Sequence, residues 1–368
     1  MANQRIGVMH VVDSLNTGGT ERVAVTLVSL LPPDRYDVHL CTTRFDGPLA
    51  ELVPPQVRRE CLHRKRTVDL GALRKLVAAI RDNNIRIVHA HSSSIFLARV
   101  ATLMCPKTAL IWHDHFGRCE EIQRSSWLYG PATRNIAGVI AVNQRLAEWA
   151  RSKLRVPESR VWYVPNVVVP GTPARATREL PGRPGARIIC VANFRRQKDH
   201  PTLFRAMAKV LQEVPDAQLL LVGALNDRAY HDSLVDLARD SGISGHVTFL
   251  GQRCDVPSIV SVCDIGVLSS RSEGFPVSVL EYAMASLGVV TTYVGQCAEI
   301  LDHGRAGLLV APGQVDELAN ALLTLLRSPR LRAVLGARVR AHVLECYGPD
   351  KVMQKIESIY QSLVAENP

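Results

Sequence analysis

An α/β architecture of two doubly wound, Rossmann-like units is what this sequence predicts, and three observations carry it. Buried-strand runs alternate with helical runs from the first residues. A stretch rich in Pro, Gly and Arg, without hydrophobic period, interrupts them at 167–187. The same alternation then starts again. At 368 residues the chain exceeds what one hydrophobic core usually serves, which agrees with two domains.

In the first half, RIGVMHVV reads as a buried strand, TERVAVTLVSLL as a helix and DVHLCTT as a strand. LGALRKLVAAIRDNN is helical, IRIVHAHS a strand, SIFLARVATLM a helix and TALIWHDH a strand, and AGVIAVNQRLAEWARSKL with VWYVPN completes a domain over 1–166. After the 167–187 linker, RIICVANF, HPTLFRAMAKVLQEV, AQLLLVGA, YHDSLVDLARDSG and VTFLG open a second domain over 188–346. It continues through VPSIVSVCDIGVLSS, FPVSVLEYAMAS, GVVTTYV, AGLLVAP and DELANALLTLLRS. The closing segment 347–368, YGPDKVMQKIESIYQSLVAE and its tail, reads as an amphipathic helix outside the second domain, free to pack back on the first. Open α/β sheets bind ligands beyond the carboxyl ends of their strands, so function is expected in the loops there, with the two sheets facing across a cleft.

Composition narrows the classes. No apolar run reaches about 18 residues, and MANQRIGVMHVVDSLN carries a strand-like run in place of a signal-peptide core, so a cytoplasmic chain is expected. The nine cysteines form no C-x-x-C pair, and several sit inside apolar runs, as reduced buried thiols do. The net charge of +10 gathers in VRRECLHRKRTVDLGALRKL (57–76). That segment is either a solvated face or a patch for an anionic membrane at the inner leaflet. It lacks interleaved aromatics, so no nucleic-acid partner is expected.

The most informative stretch is SSRSEGFPVSVLEYAMAS (269–286), with Glu273 and Glu281 eight positions apart. The strand DIGVLSS ends before it, so RSEGFP is the following loop, and Pro276 suits the first turn of the next helix. Gly274 lets backbone approach a ligand, and the free amides of a helix start, backed by its dipole, accept an anion such as a diphosphate. Glu281 then lies within reach of paired ribose hydroxyls, and Glu273 stands nearer the reacting end. A glutamate near a helix start is also favoured by the dipole alone; the pair around Gly-Phe-Pro is what points to a site.

SEGFPVSVLEYAMA followed by GVVTTYVGQCAEILDHGRAGLLVAPGQVDELA resembles the E-x7-E region of the family-four glycosyltransferases, retaining enzymes of the GT-B fold. The resemblance extends over essentially the whole chain, through NTGGTERVAVTL, IVHAHS, HDHFG, VPNVV, VANFRRQKDHPTLFRAM and VTFLGQRCDVPSIVSVCDIGVLSS. It implies a nucleotide-diphosphate sugar (UDP- or GDP-linked) on the second domain, a sugar or lipid-linked acceptor on the first, and no metal or separate cofactor. It implies that Glu273 lies beside the donor sugar, Glu281 holds the ribose, and Lys198 neutralises the diphosphate. The amides of Gly274, Phe275 and Val277 would face the phosphates, with Pro276 contributing shape because it has no N–H. Where the family often has Arg this chain has Asn193, and Arg195 or, preferentially, Arg196 is expected to compensate. Ser286 and Gly288 stand where Gly and Pro are common, so the helix after Glu281 is expected to end differently.

In the first domain, Gly18 and Gly19 of NTGGTERVAV suit a close approach at a helix start, and by resemblance border the diphosphate and acceptor. Glu21 and Arg22 are read as capping that helix. Either His115 or His113 of WHDHFG corresponds to the family's active-site histidine, the register favouring His115. The H-x-H pairs 89/91 and 113/115 could each chelate a metal, since alternate strand positions share a face and Asp114 points the other way; no further ligand motif adjoins them, so no metal is expected. Chemically, a departing diphosphate gains charge that Lys198, an Arg of its loop and the amides would stabilise most in the transition state. The rival readings are a catalytically silent nucleotide-sugar-binding protein, a polyanion-binding adaptor, and an NAD-binding protein. The last lacks a G-x-G-x-x-G after either first strand.

Overall fold

The computed structural model describes residues 5–118, 120–122, 124–170, 180–225 and 227–366. Residues 171–179 of the 167–187 linker thus lie outside the described residues. The chain divides into two compact units: residues 1–116, 123–167 and 349–368 form one, and 117–122 with 168–348 the other.

Unit 1 runs β1 (Ile6–Ser14), α1 (Gly19–Leu30), β2 (Tyr36–Phe45), β3 (Arg58–Cys61), α2 (Leu70–Asp82), β4 (Ile85–His91), α3 (Ile95–Leu103), β5 (Ala109–Asp114), α4 (Ser126–Thr133), β6 (Gly138–Ala141), α5 (Gln144–Ser152) and β7 (Val161–Tyr163). Unit 2 runs β8 (Arg187–Val191), α6 (His200–Glu213), β9 (Gln218–Val222), α7 (Arg228–Asp240), β10 (Val247–Gly251), α8 (Val256–Val260), β11 (Ile265–Leu268) and α9 (Val277–Met284). It continues with β12 (Gly288–Thr292), α10 (Cys297–Ile300), β13 (Leu308–Val310), α11 (Val315–Arg327) and α12 (Pro329–Tyr347). After Gly348 the last helix, α13 (Pro349–Glu366), belongs to unit 1, where it contacts α1 and β4.

Both sheets are parallel throughout the described pairings, in the orders β3-β2-β1-β4-β5-β6-β7 and β10-β9-β8-β11-β12-β13. Each order reverses direction once, between β1 and β4 and between β8 and β11, which marks the crevice where such sheets take ligands. The strands can be apolar on both faces because helices cover both: β9 (QLLLV) is buried at every position. Buried aliphatic side chains of β1, β4, β8 and β11 form the two cores. Cys41, Cys105, Cys190, Cys263 and Cys297 are buried in them as free thiols.

Candidate active site

In unit 2 the loop after β8 and the loop after β11 meet. Lys198 closes a single 3-10 turn (Arg196–Lys198), and its Nζ lies 2.5 Å from Glu273 Oε1. The same oxygen accepts from Ser270 Oγ at 2.6 Å. Glu273 is 5% exposed, so its charge needs both partners. The Ser269 hydroxyl donates to the Lys198 carbonyl (2.9 Å) and the Arg271 amide to the Gln197 carbonyl (2.8 Å), tying the two loops together.

The loop between β12 and α10 closes over this pair. Gly295 has φ +53, and a Cβ there would stand 2.5 Å from the Glu273 carbonyl oxygen, so only glycine fits. Its amide points at the carboxylate of Glu120, 2.9 Å away, and the other Glu120 oxygen accepts from the Glu273 amide (3.2 Å) and the Ser272 hydroxyl. Residues 117–122 follow β5 in sequence but belong to unit 2, and they place a carboxylate on this amide cradle. The cradle is therefore an anion site made of converging N–H and O–H donors.

Glu281 lies in the second turn of α9 and is half-buried. Pro276 is the residue just before α9, with φ −73 and ψ 112, one position earlier than the first-turn place expected from sequence. Gly274, Phe275 and Val277 are buried in the turn that starts the helix, Phe275 edge-on to Tyr347 at 5.2 Å. The anion contacts fall on the amides of Glu273 and Gly295. Asn193 is used structurally, accepting from the Ala224 amide at 2.8 Å. Arg195 and Arg196 are exposed, and the Arg196 guanidinium lies over Tyr230, 5.4 Å from the ring centre. Arg271, which sequence reading passed over, turns back on Asp199 with its Nε at 2.9 Å.

In unit 1, Gly18 is the N-cap of α1, Gly19 its first residue, and Glu21 folds back so closely that a Cβ at Gly18 would meet its carboxylate at 2.1 Å. At the carboxyl ends of β1, β4 and β5 five histidines share one face of the sheet. Strand register sets His10 beside His89 and His91 beside His113, and His115 follows β5. Asp114, on the opposite face, accepts from Arg124 (2.8 Å), whose guanidinium stacks 3.8 Å from the Trp149 ring centre. His10, His89, His91 and His113 are buried and His115 half-buried.

Burial pushes the imidazoles of His10 and His115 down to about 3, Asn166 offsetting part of the effect at His115. His89, His91 and His113 fall well below the ordinary histidine range, by burial first and by one another's charge second. All five are neutral at pH 7.

Sequence reading also missed Asp13, at the end of β1. It accepts from Thr43 Oγ1 (2.6 Å), Ser93 Oγ (2.5 Å) and Arg64 (3.1 Å). Arg64 is 9% exposed and thus no part of an exposed basic patch, unlike Lys65 and Arg66 beside it.

Residues 17–172 match the Glycosyltransferase Family 4 model and residues 185–328 that of Glycosyl transferases group 1. The chain is 23% identical over 387 aligned positions to the Escherichia coli UDP-Gal:alpha-D-GlcNAc-diphosphoundecaprenol alpha-1,3-galactosyltransferase, covering 98% of both. It is 30% identical over 180 residues to the Bacillus anthracis N-acetyl-alpha-D-glucosaminyl L-malate synthase, a match spanning 49% of this chain and 46% of that enzyme. Among solved structures, Anabaena HepE in complex with UDP and glucose superposes with a TM-score of 0.81 at 19% identity, covering 96% of this chain and 99% of that one. The fold is GT-B, and with both halves matched the chain belongs to the family-four glycosyltransferases.

Proposed function

We propose that this glycosyltransferase moves a sugar, with retention of configuration, from a UDP- or GDP-sugar to a hydroxyl of a sugar or lipid-linked acceptor in glycolipid or polysaccharide assembly. The observation that carries the reading is the Glu120 carboxylate seated on the Glu273 and Gly295 amides and the Ser272 hydroxyl. A site that orders one carboxylate suits the more highly charged diphosphate, which would displace it.

In this reading Lys198 exchanges its Glu273 partner for phosphate oxygens as the leaving group gains charge, and Arg196 swings from Tyr230 to help. Glu273 positions the sugar, Glu281 accepts from the ribose hydroxyls, and the buried turn of Gly274, Phe275, Pro276 and Val277 shapes the wall. Amides and ammonium supply the positive potential that other folds take from a metal, so no metal is assigned to the diphosphate. Gly18 and Gly19 border the acceptor, and His115 or His113, neutral at working pH, offers it a hydrogen bond. The acceptor hydroxyl passes its proton to the departing phosphate oxygen, a route that needs no carboxylate nucleophile and so differs from the two-carboxylate glycosidases.

UDP is favoured by two similarities: HepE was solved with UDP, and the E. coli relative is named for UDP-Gal and a diphosphoundecaprenol acceptor. A lipid-linked acceptor agrees with the 57–76 segment. It exposes Arg58, Arg59, Lys65, Arg66, Arg74 and Lys75 together with Val68 and Leu70, the mixture that holds a protein on an anionic leaflet. No helix among the described residues is long and apolar enough to cross a membrane.

A thermal-shift panel of UDP-, GDP- and ADP-sugars identifies the donor, because a ligand of the folded form raises Tm. Release of the nucleoside diphosphate with acceptor then separates an enzyme from a silent binder. A panel that raises Tm with no sugar nucleotide would sink the proposal. For the membrane part, Lys65→Glu/Arg66→Glu with unchanged sedimentation on phosphatidylglycerol vesicles refutes the placement.

A further inference from the structure

The histidine face of unit 1 is a continuous chain of contacts. His115 Nε2 lies 3.1 Å from His91 Nδ1, and His91 Nε2 3.0 Å from His10 Nδ1. His10 Nε2 lies 3.0 Å from Tyr360 Oη, the phenol that α13 lays across the sheet. Tyr360 Oη is 2.6 Å from His89 Nδ1, and His89 Nε2 3.0 Å from His113 Nδ1. Each neutral imidazole brings one N–H and one lone pair, and the phenol one O–H. Five links therefore use five of six protons, and whether the phenol donates to one neighbour or accepts from both, at least one of the two terminal ring nitrogens keeps an unshared lone pair.

Both terminal nitrogens, His113 Nε2 and His115 Nδ1, are buried without a hydrogen-bond partner. Buried polar atoms are rarely left so, and a nitrogen lone pair aimed into a cluster of imidazoles asks for a cation.

We infer that His91, His113 and His115 hold one divalent transition-metal ion of the zinc class, with His10, His89 and Tyr360 as its outer shell. One ligand nitrogen from each of the three lies within 4.8 Å of the others. With His91 Nε2 and His113 Nδ1 kept on His10 and His89, the ligand atoms are His91 Nδ1, His113 Nε2 and His115 Nε2, the ion taking the place of the hydrogen bond between His91 Nδ1 and His115 Nε2. Tetrahedral zinc with Zn–N near 2.05 Å sets neighbouring nitrogens about 3.3 Å apart, close to the 3.1 Å between His91 Nδ1 and His115 Nε2.

The outer nitrogens also fit. With the ion bound, His91 Nε2–H donates to His10 and His113 Nδ1–H to His89, and those two rings both donate to Tyr360 Oη. Metal-ligating histidines are held in this way by a partner on the far nitrogen. Three imidazoles leave a fourth position for water, and all-nitrogen donors suit Zn2+, Co2+ or Ni2+ better than Mg2+ or Ca2+. The ion lies in unit 1 and leaves the metal-free handling of the diphosphate proposed for unit 2 unchanged; with both nitrogens of His113 engaged, the hydrogen bond to the acceptor falls to His115 Nδ1–H, which has no partner within the chain.

The test reads metal, not sugar transfer, so it stands whether or not the proposed reaction is correct. The chain is purified with a tag free of histidine, and its metal is measured by plasma mass spectrometry before and after refolding with Zn2+ and desalting. One ion per chain is expected, and Co2+ in its place should show the intense visible bands of a tetrahedral site. His113→Asn, close in shape, should lose the ion. Tyr360→Phe should keep it with affinity lowered roughly 10-fold, as outer-shell changes do. His303→Ala, with its side chain elsewhere, should bind as the parent does. A folded parent chain that retains no ion after refolding with Zn2+ overturns the inference and leaves a purely hydrogen-bonded histidine chain. Full occupancy in folded His113→Asn overturns the ligand assignment.

Discussion

His200 opens α6 directly after the Lys198 loop and offers a sharp test of how that loop is anchored. Its ring is fully buried, stacked on Phe194 at 5.0 Å and edge-on to Tyr230 at 6.3 Å, and neither ring nitrogen has a hydrogen-bond partner. Burial, reinforced by the charge of Lys198 and opposed by Asp199, pushes its pKa down to about 3. In the unfolded chain the same group titrates near 6.5. Below that pH the unfolded state binds a proton that the folded state refuses, so stability falls as pH drops from about 6.5 towards 3. Between pH 7.5 and 5.0 the loss from this one residue is about 2 kcal/mol, the free energy of protonating the unfolded imidazole 1.5 units below its pKa.

His200→Phe keeps an aromatic ring against Phe194 and removes the titration. Its effect at pH 7.5 combines relief of two unpartnered nitrogens with the strain of a larger ring, so that value alone decides nothing. The difference between the two pH values does, because every other histidine contributes equally to both proteins. Urea unfolding of parent and variant at pH 7.5 and 5.0 should show the parent losing about 2 kcal/mol more on acidification. Equal losses would mean that His200 is hydrogen-bonded or hydrated, and that the packing argument for this loop is wrong.

Other perturbations separate the parts of the site. Lys198→Met should lower stability by about 3 kcal/mol, since it strands the buried Glu273 carboxylate, and adding Glu273→Leu should restore much of it while leaving nucleotide binding abolished; calorimetric Tm and titration with UDP check both halves. Glu120→Gln keeps the shape of the occupying side chain but weakens its hold on the cradle, so UDP affinity by titration calorimetry should rise roughly 5-fold, the worth of about 1 kcal/mol of charge-assisted bonding. Ser286 adopts φ +57 at the end of α9, and Ser286→Gly should raise stability by about 1 kcal/mol in chemical denaturation, because only the glycine reaches that conformation without strain.

What was legible in the sequence follows from what local pattern encodes. Glu273 and Lys198 stand out in the sequence as candidates because each follows a buried strand and flanks a helix start, features written in neighbouring residues, and the structure brings the two side chains together. β3 was missed because its R-R-E-C reads as a charged loop; it is an edge strand, where charged side chains are tolerated and discourage pairing with other chains. Arg64 was read as one of a basic run, yet Asp13, 51 positions away, draws it into the interior. His10 gave no signal inside an apolar strand, and Glu120 none inside C-E-E-I, because neither position acquires meaning until distant elements are brought to it.

Strand order brings together residues that local pattern leaves apart. In unit 2 the reversal between β8 and β11 makes neighbours of two loops whose key residues, Lys198 and Glu273, lie 75 positions apart. In unit 1 the reversal between β1 and β4 does the same for His10 and His91, 81 positions apart, and β5 then adds His113 and His115. The same winding rule thus creates an anion cradle in one sheet and an imidazole cluster in the other; the difference is the chemistry of the residues placed at the crevice. Periodicity reveals that such a crevice exists, but only register tells that H-A-H, H-D-H and a lone histidine in M-H-V-V form one site. Doubly wound strand order makes β1, β4 and β5 neighbours, and their register then brings His10 to His89 and His91 to His113.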